Sequence, residues 1–330
     1  MEGISGLFEF LVGTTREGRE PALRYWAELG FRPVTWGRLD ASQAEQRYGH
    51  RSAVTSYRLA HPGCALSGCG YVRLMVWDEP RDSGLGHARP LEIGSRWMGV
   101  YTSNILLVRD AFTDAIVNEG WDFEVTPIVR APLDPAAPPS GFFNRWVGLR
   151  EMFVIGPETR HAFIQRNNFD RPGFGSFSPA TPLPVTEGTH GNIVQPHFAT
   201  EFYREVLGLV SQGGAHDSGW ERESTRVVLM LEEGQTFTVE RLGSPNRPSG
   251  FLQVYAPHWN APDRRAHSRA GSLGLSQFSY QVPHAGGLRD AVLAAGATEV
   301  TDRLPNEFGE PSFSFVAPDG ISWTIVGRIV

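Results

Sequence analysis

The sequence predicts an α+β protein made of four tandem modules, each running strand, helix and then three further strands. Three observations predict it. Four helical stretches end in a glycine followed by an apolar residue, at Gly30, Gly120, Gly208 and Gly296, which stand 90, 88 and 88 positions apart in the 330-residue chain. A largely apolar run precedes each helix, at residues 7–12, 104–108, 192–195 and 278–282. Strand-like runs follow each helix, such as 227–231 with 236–239, and 312–316 with 322–326. A period near 90 is too long for a solenoid repeat, so each unit is a small supersecondary module.

Taken in order, module 1 covers residues 4–77. A polar turn at 14–19 leads to a helix over 21–31, with Pro21 in its first turn, where a missing N–H costs nothing. Residues 53–59 and 71–77 read as its later strands. Module 2 covers 97–165, with a helix over 110–121 and a Pro-rich insertion at 130–141 that reads as a lid or as surface decoration. The stretch 167–184, rich in Asn, Gly, Pro and Ser, is the expected boundary between halves. Module 3 covers 188–242: β-branched Ile193 and Val194 suit a strand. Phe202, Tyr203, Val206 and Leu207 then recur at the spacing of one helical face. Residues 250–256 add a further apolar run, and 257–271 is a polar crossing loop. Module 4 covers 273–330 with a helix over 287–297. Its last strand, 321–326, aligns by its leading glycine with 235–240: GISWTIV against GQTFTVE.

The helix Phe202-Tyr203-Arg204-Glu205-Val206-Leu207-Gly208-Leu209 and the turn Ala317-Pro318-Asp319-Gly320 resemble sequences of the vicinal-oxygen-chelate (VOC) superfamily. That superfamily includes glyoxalase I, the bleomycin-resistance proteins and the type I extradiol dioxygenases. The resemblance covers nearly the whole chain. It implies that modules pair into half-barrel cups, two cups for four modules. Modules 1 and 2 would then form an N-terminal domain (1–168), structural or accessory, joined by a linker (169–185) to a C-terminal domain (186–330) holding the active or binding cup.

The resemblance also implies a divalent metal (Fe, Mn, Ni or Zn) held by a His or Gln at the start of a module's first strand and a Glu on its last strand. Such donors would leave positions open for two substrate oxygens. Carried onto this sequence, the first-strand positions are His190, Gln277, Ser103 and a residue near Leu7 or Phe8. The last-strand positions are Leu74, Phe163, Thr238 and Thr324, none a carboxylate. A reduced metal set of His190, Gln277 and Glu240 remains; the alternative is a cup that works without metal. In that case Asn192, Thr238, Tyr255, Gln277, Ser279 and Thr324 line a substrate pocket. His190, with an ordinary pKa near 6.5, is then its catalytic base.

Composition narrows the classes. Thirty Lys and Arg against 36 Asp and Glu give a net charge of −6 with no basic run, which argues against nucleic acid as a partner. No apolar stretch reaches the length of a membrane span, and residues 1–10 lack a basic leader, so a cytoplasmic protein is expected. Cys64 and Cys69 are expected as free thiols. Four internal modules allow a monomer as readily as a homodimer. Two readings stand: an enzyme on a small oxygenated, aromatic or polyketide-like metabolite, or a protein that sequesters such a compound. The enzyme would cleave a ring if it binds metal, and otherwise act as a lyase, isomerase or hydrolase.

Overall fold

Each glycine expected to end a helix holds the left-handed backbone that only glycine enters freely: φ is 83°, 72°, 71° and 85° at Gly30, Gly120, Gly208 and Gly296. The computed structural model describes residues 3–133, 146–171, 173–245 and 247–328. Most of the Pro-rich insertion, 134–141, lies outside them.

Module 1 consists of β1 (Leu7–Thr14), α1 (Arg19–Glu28), β2 (Arg32–Leu39), α2 (Ala41–Tyr48), β3 (Val54–Ala60), α3 (Cys64–Ser67) and β4 (Tyr71–Trp77). Asp40 caps α2 by accepting from the Gln43 N–H, and the Gln43 side chain accepts from the Asp40 N–H in return. Module 2 has β5 (Arg96–Tyr101), α4 (Ile105–Glu119), β6 (Glu124–Val125), β7 (Val129–Pro132), β8 (Gly148–Ile155) and β9 (Arg160–Asn167). Module 3 has β10 (His190–Val194), a π-helical turn (Phe202–Val206), β11 (Val210–Ser211), β12 (His216–Gly219), α5 (Glu223–Val228), β13 (Thr236–Gly243) and β14 (Phe251–Pro257). Module 4 has β15 (Gly274–Val282), α6 (Ala285–Ala294), β16 (Leu304–Pro305), β17 (Pro311–Val316) and β18 (Ser322–Gly327).

Three expectations are corrected here. The run 104–108 begins a helix rather than forming a strand, because the Asn104 side chain accepts from the Leu107 N–H and caps α4. Ser103 is therefore not in the first strand of its module. The run 227–231 is not a strand either; its first two residues end α5 and the rest form the turn that follows. The last strand of module 3 is β14, not residues 235–240. In every module the first and last strands are parallel neighbours: β1 with β4, β5 with β9, β10 with β14 and β15 with β18. The likeness of GISWTIV to GQTFTVE thus matched a last strand to a penultimate one.

The modules form two curled sheets, the half-barrels expected. Their pairing differs from expectation. One sheet runs β16-β17-β18-β15-β1-β4-β3-β2 and joins module 1 to module 4. The other runs β11-β13-β14-β10-β5-β9-β8-β6, with β12 on β13 and β7 on β8, and joins module 2 to module 3. The seams are the antiparallel ladders β1–β15 and β10–β5. The boundary at 169–185 therefore separates no cup from another. The main apolar core draws on both sheets and on the helices, with Phe10, Phe278 and Ile193 from strands and Trp26, Phe112, Tyr203 and Val292 from helical segments. The Tyr25 hydroxyl of α1 pairs with His161 Nδ1 of β9, at 2.7 Å, so a module 1 helix packs on the module 2 sheet.

Candidate functional site: an open cup and a filled one

Strand alternation gives each half-barrel a concave face, and the two concave faces differ. In the module 1–4 cup that face is polar and already occupied by protein. Glu9 of β1 is ion-paired with Arg73 of β4 and accepts from Arg58 Nε of β3 at 2.7 Å. Glu307 and Glu310, from the segment between β16 and β17, reach in to Arg73 at 3.4 Å and Arg58 at 2.6 Å. Arg47 of α2 donates to Ser312 and Ser314 at 2.8 and 2.9 Å. The Phe308 ring covers both Arg58 and Arg73, at 4.4 and 5.2 Å. Two arginines thus meet three glutamates, and a third arginine meets two serines. Burial alone would raise the Glu9 pKa, but Arg58 and Arg73 together hold it at about 2.

Three residues predicted to line a pocket belong to this filled cup. Gln277 pairs with Ser322 and accepts from Thr324 at 3.3 Å. Thr324 also bonds Ser314 at 2.9 Å, and Ser279 donates to Glu9 at 3.1 Å. Their polarity serves the internal network.

The module 2–3 cup is open. It encloses a cavity of about 570 Å³ floored by β5, β10 and β14. His190, Asn192 and Tyr255 all face it, in a cup shared with module 2 rather than with module 4. The His190 ring stacks on Phe251 at 4.5 Å and 4°. It also lies over Gly99 of β5, its ladder partner, where a Cβ would collide with imidazole Cε1 and Nε2. A glycine is needed there to seat the ring. The Thr189 hydroxyl donates to the Gly99 carbonyl at 3.0 Å, so its contact with His190 Nδ1, also 3.0 Å, must be accepted from an Nδ1–H. His190 Nε2 therefore carries the free lone pair. Burial, with the nearby Arg241 charge adding to it, pushes this imidazole down to about 3, so it is neutral.

Two residues along β10, Asn192 donates from Nδ2 to the Trp97 carbonyl at 3.2 Å. That bond fixes the amide's orientation and leaves its buried Oδ1 without a partner among the described residues. Aromatic walls surround these groups: Trp97 packs against Tyr255 at 5.1 Å, and Tyr255 against Phe237 at 5.4 Å. α5 lies over the cup, placing Val228 and Leu229 in the same apolar cluster.

Sequence reasoning missed Glu151 and Arg241. Glu151 on β8 faces the cavity, and burial raises its pKa to about 7, with Arg222 opposing the rise. Arg241 on β13 lies over the Phe251 ring at 4.3 Å. Strand alternation carries a signal for Arg241, since Phe237, Val239 and Arg241 share the inner face. It was masked by taking Thr238 and Glu240 as inward. Both face outward. Thr238 donates to Asp217 at 2.7 Å and contacts His258 at 2.8 Å, while Glu240 accepts from Thr200 at 2.7 Å.

The set His190, Gln277 and Glu240 is therefore split among one cup, the other cup and an outer face. Among the described residues no three His, Cys, Asp or Glu side chains group to hold a metal ion. The donors of the open cup do not fit the divalent metal that the resemblance implies. Cys64 and Cys69 are buried free thiols, and no helix among the described residues is long and apolar enough to cross a membrane.

No protein-family model and no curated protein matches this sequence. Solved structures do. Glyoxalase I from Zea mays superposes with a TM-score of 0.56 at 12% identity, covering 98% of this chain and 92% of that one. A candidate dioxygenase from Bacillus subtilis superposes with a TM-score of 0.55 at 11% identity, covering 99% of this chain and 86% of that one. At such identities the likeness is one of fold, and it extends over the full four-module length.

Proposed function

We propose that this chain, whose fold is that of the glyoxalase and dioxygenase (VOC) proteins, is an enzyme working in the cup of modules 2 and 3. Its substrate is a small, oxygen-bearing aromatic or polyketide-like metabolite, and its chemistry is proton transfer. The observation that carries this reading is one aromatic-walled cavity of about 570 Å³ that gathers Glu151, His190 and Asn192. The lining is as polar as it is apolar, and a concave site with aromatic walls and convergent polar groups suits an oxygen-bearing small molecule.

The roles follow from protonation. With a pKa near 7, Glu151 is poised both to take and to return a proton, the condition that favours general acid–base work at neutral pH. It removes a proton from carbon beside a carbonyl and delivers it to a second position, an isomerisation, or to a leaving group, an elimination. His190 does not take the part of base expected of it, because a group with a pKa near 3 binds protons too weakly at neutral pH. Its Nε2 instead accepts a hydrogen bond from a substrate hydroxyl. Asn192 Oδ1 is a second acceptor on the same strand, so the pair orients a ligand bearing two O–H groups. No step is routed through a metal.

The test has two stages. Tryptophan quenching, read through Trp97, ranks a panel of phenols and aromatic ketones as ligands. Nuclear magnetic resonance then follows deuterium exchange at carbon next to the carbonyl. Exchange whose rate rises through pH 7 in the wild type and is lost in Glu151→Gln supports the assignment. Tight binding with no exchange or turnover of any ligand would replace it with sequestration.

A further inference from the structure

Arg241 is a cation without a counter-ion. Its side chain lines the open cup and lies over Phe251 at 4.3 Å, yet its guanidinium makes no hydrogen bond or ion pair with any described residue. In the filled cup the arginines have partners: Arg58 and Arg73 have carboxylates, and Arg47 has two serine hydroxyls. Arg130 and Arg222 line the open cup with Arg241, which alone of the three lies over the Phe251 ring. Arg241 is half-buried, and the partial loss of water around a guanidinium is costly unless an anion or hydrogen-bond acceptors meet it; one aromatic face offsets only part of that cost. Nor does Glu151 neutralise it: the two lie on opposite wings of the sheet, on β13 and β8, with four strands between. Tyr101 and Tyr255 line the same cavity, within electrostatic reach of both.

We propose that Arg241 is the anion-binding residue of this cup and that its ligand is an aromatic carboxylic acid. The planar guanidinium fork matches a carboxylate through two parallel N–H···O bonds. The register supplies the spacing. Arg241 pairs with Gln253 and Gln253 with Asn192, so two ladder steps of about 4.8 Å set the Arg241 and Asn192 backbones about 10 Å apart across the cup, with the guanidinium leaning over Phe251, the ring on which His190 stacks. An aromatic acid lying over this face, above Gln253, would put its carboxylate on Arg241 and a ring hydroxyl toward Asn192 Oδ1 or His190 Nε2. The orphaned Asn192 oxygen points independently to the same ligand, because a buried acceptor left unpaired is as costly as a missing hydrogen bond.

This deepens the reading of the cup as the working site, and it is tested by binding, without turnover. The probes are 2-naphthoate and 2-naphthamide, which share a ring system and differ in charge. Calorimetry on the wild type is expected to show the acid binding at least tenfold more tightly than the amide. Arg241→Gln should weaken the acid at least tenfold and leave the amide unchanged, and Arg241→Lys should restore part of the loss. Equal affinity for the two probes, binding of neither, or a preference for the acid that survives in Arg241→Gln would each overturn the proposal. The wild-type comparison stands even if a variant fails to fold. A protein that prefers the acid but exchanges no proton keeps this inference and loses the enzymatic one; proton exchange on neutral ketones alone does the reverse.

Discussion

The seat of His190 depends on an atom that is absent. Because the ring covers Gly99, Gly99→Ala must push the imidazole off Phe251 or shift β5. Overpacking of this kind costs about 1–3 kcal/mol. The strain is specific, so the double variant Gly99→Ala/His190→Ala should recover most of the melting temperature that Gly99→Ala loses. Simple additivity in that cycle would count against the contact. Glu151 makes a prediction of opposite sign. Its folded-state pKa is raised from 4.5 to about 7, so the folded protein holds the proton more tightly than the unfolded chain. That contribution is fully present below pH 4.5 and is lost as pH rises through 7. Glu151→Gln should therefore melt above the wild type at pH 8 and close to it at pH 4, in calorimetric scans.

The same module builds two kinds of cup, and the connections decide which. In the module 1–4 sheet, α2 and the segment between β16 and β17 turn inward and bring Arg47, Glu307 and Glu310 onto the concave face. In the module 2–3 sheet, α5 lies across the opening and leaves the floor free. The filled cup is held by charge, so it is sensitive to acid. Glu9 is depressed to about 2 against an ordinary 4.5; its stabilisation is complete above pH 4.5 and is lost as pH falls from 4.5 toward 2. Glu9→Gln leaves Arg73 buried without its carboxylate, and breaking a buried pair costs about 3–5 kcal/mol. Urea titrations should show that loss at pH 7 and a much smaller difference near pH 2.

Each sheet takes half its strands from either side of the 169–185 stretch, and this governs how the chain comes apart. A fragment of 1–168 contains β1 and β5 without their seam partners β15 and β10. A fragment of 186–330 has the complementary defect. Neither should fold alone, because each would expose two unpaired strand edges and part of the shared core. Produced together they should form a stable complex on size-exclusion chromatography. Two separately folded fragments would show the seams to be dispensable. The same interleaving gives a long-range topology, since the first strand waits for β15 near the other end of the chain.

What the sequence by itself determined is the module. The four glycines, spaced by nearly constant intervals, demand the left-handed backbone that they adopt, and the apolar alternation around them sets strand and helix; both are local effects of backbone sterics and burial. Three of the pocket residues were legible for the same reason, since His190, Asn192 and Tyr255 sit on strands whose alternation points inward. Tertiary structure alone decided which module pairs with which, because every module offers a similar first-strand edge and the choice rests on contacts between residues far apart in sequence, 91 positions at His190–Gly99 and 273 at Leu7–Tyr280. It also decided that Gln277, Ser279 and Thr324 serve an internal network, and that Thr238 and Glu240 face outward once β14, not β13, takes the place beside β10. Glu151 and Arg241 read in sequence as ordinary surface charges; only the tertiary structure puts both in one cavity, where loss of solvent raises the Glu151 pKa to about 7 and Arg241 lies over Phe251.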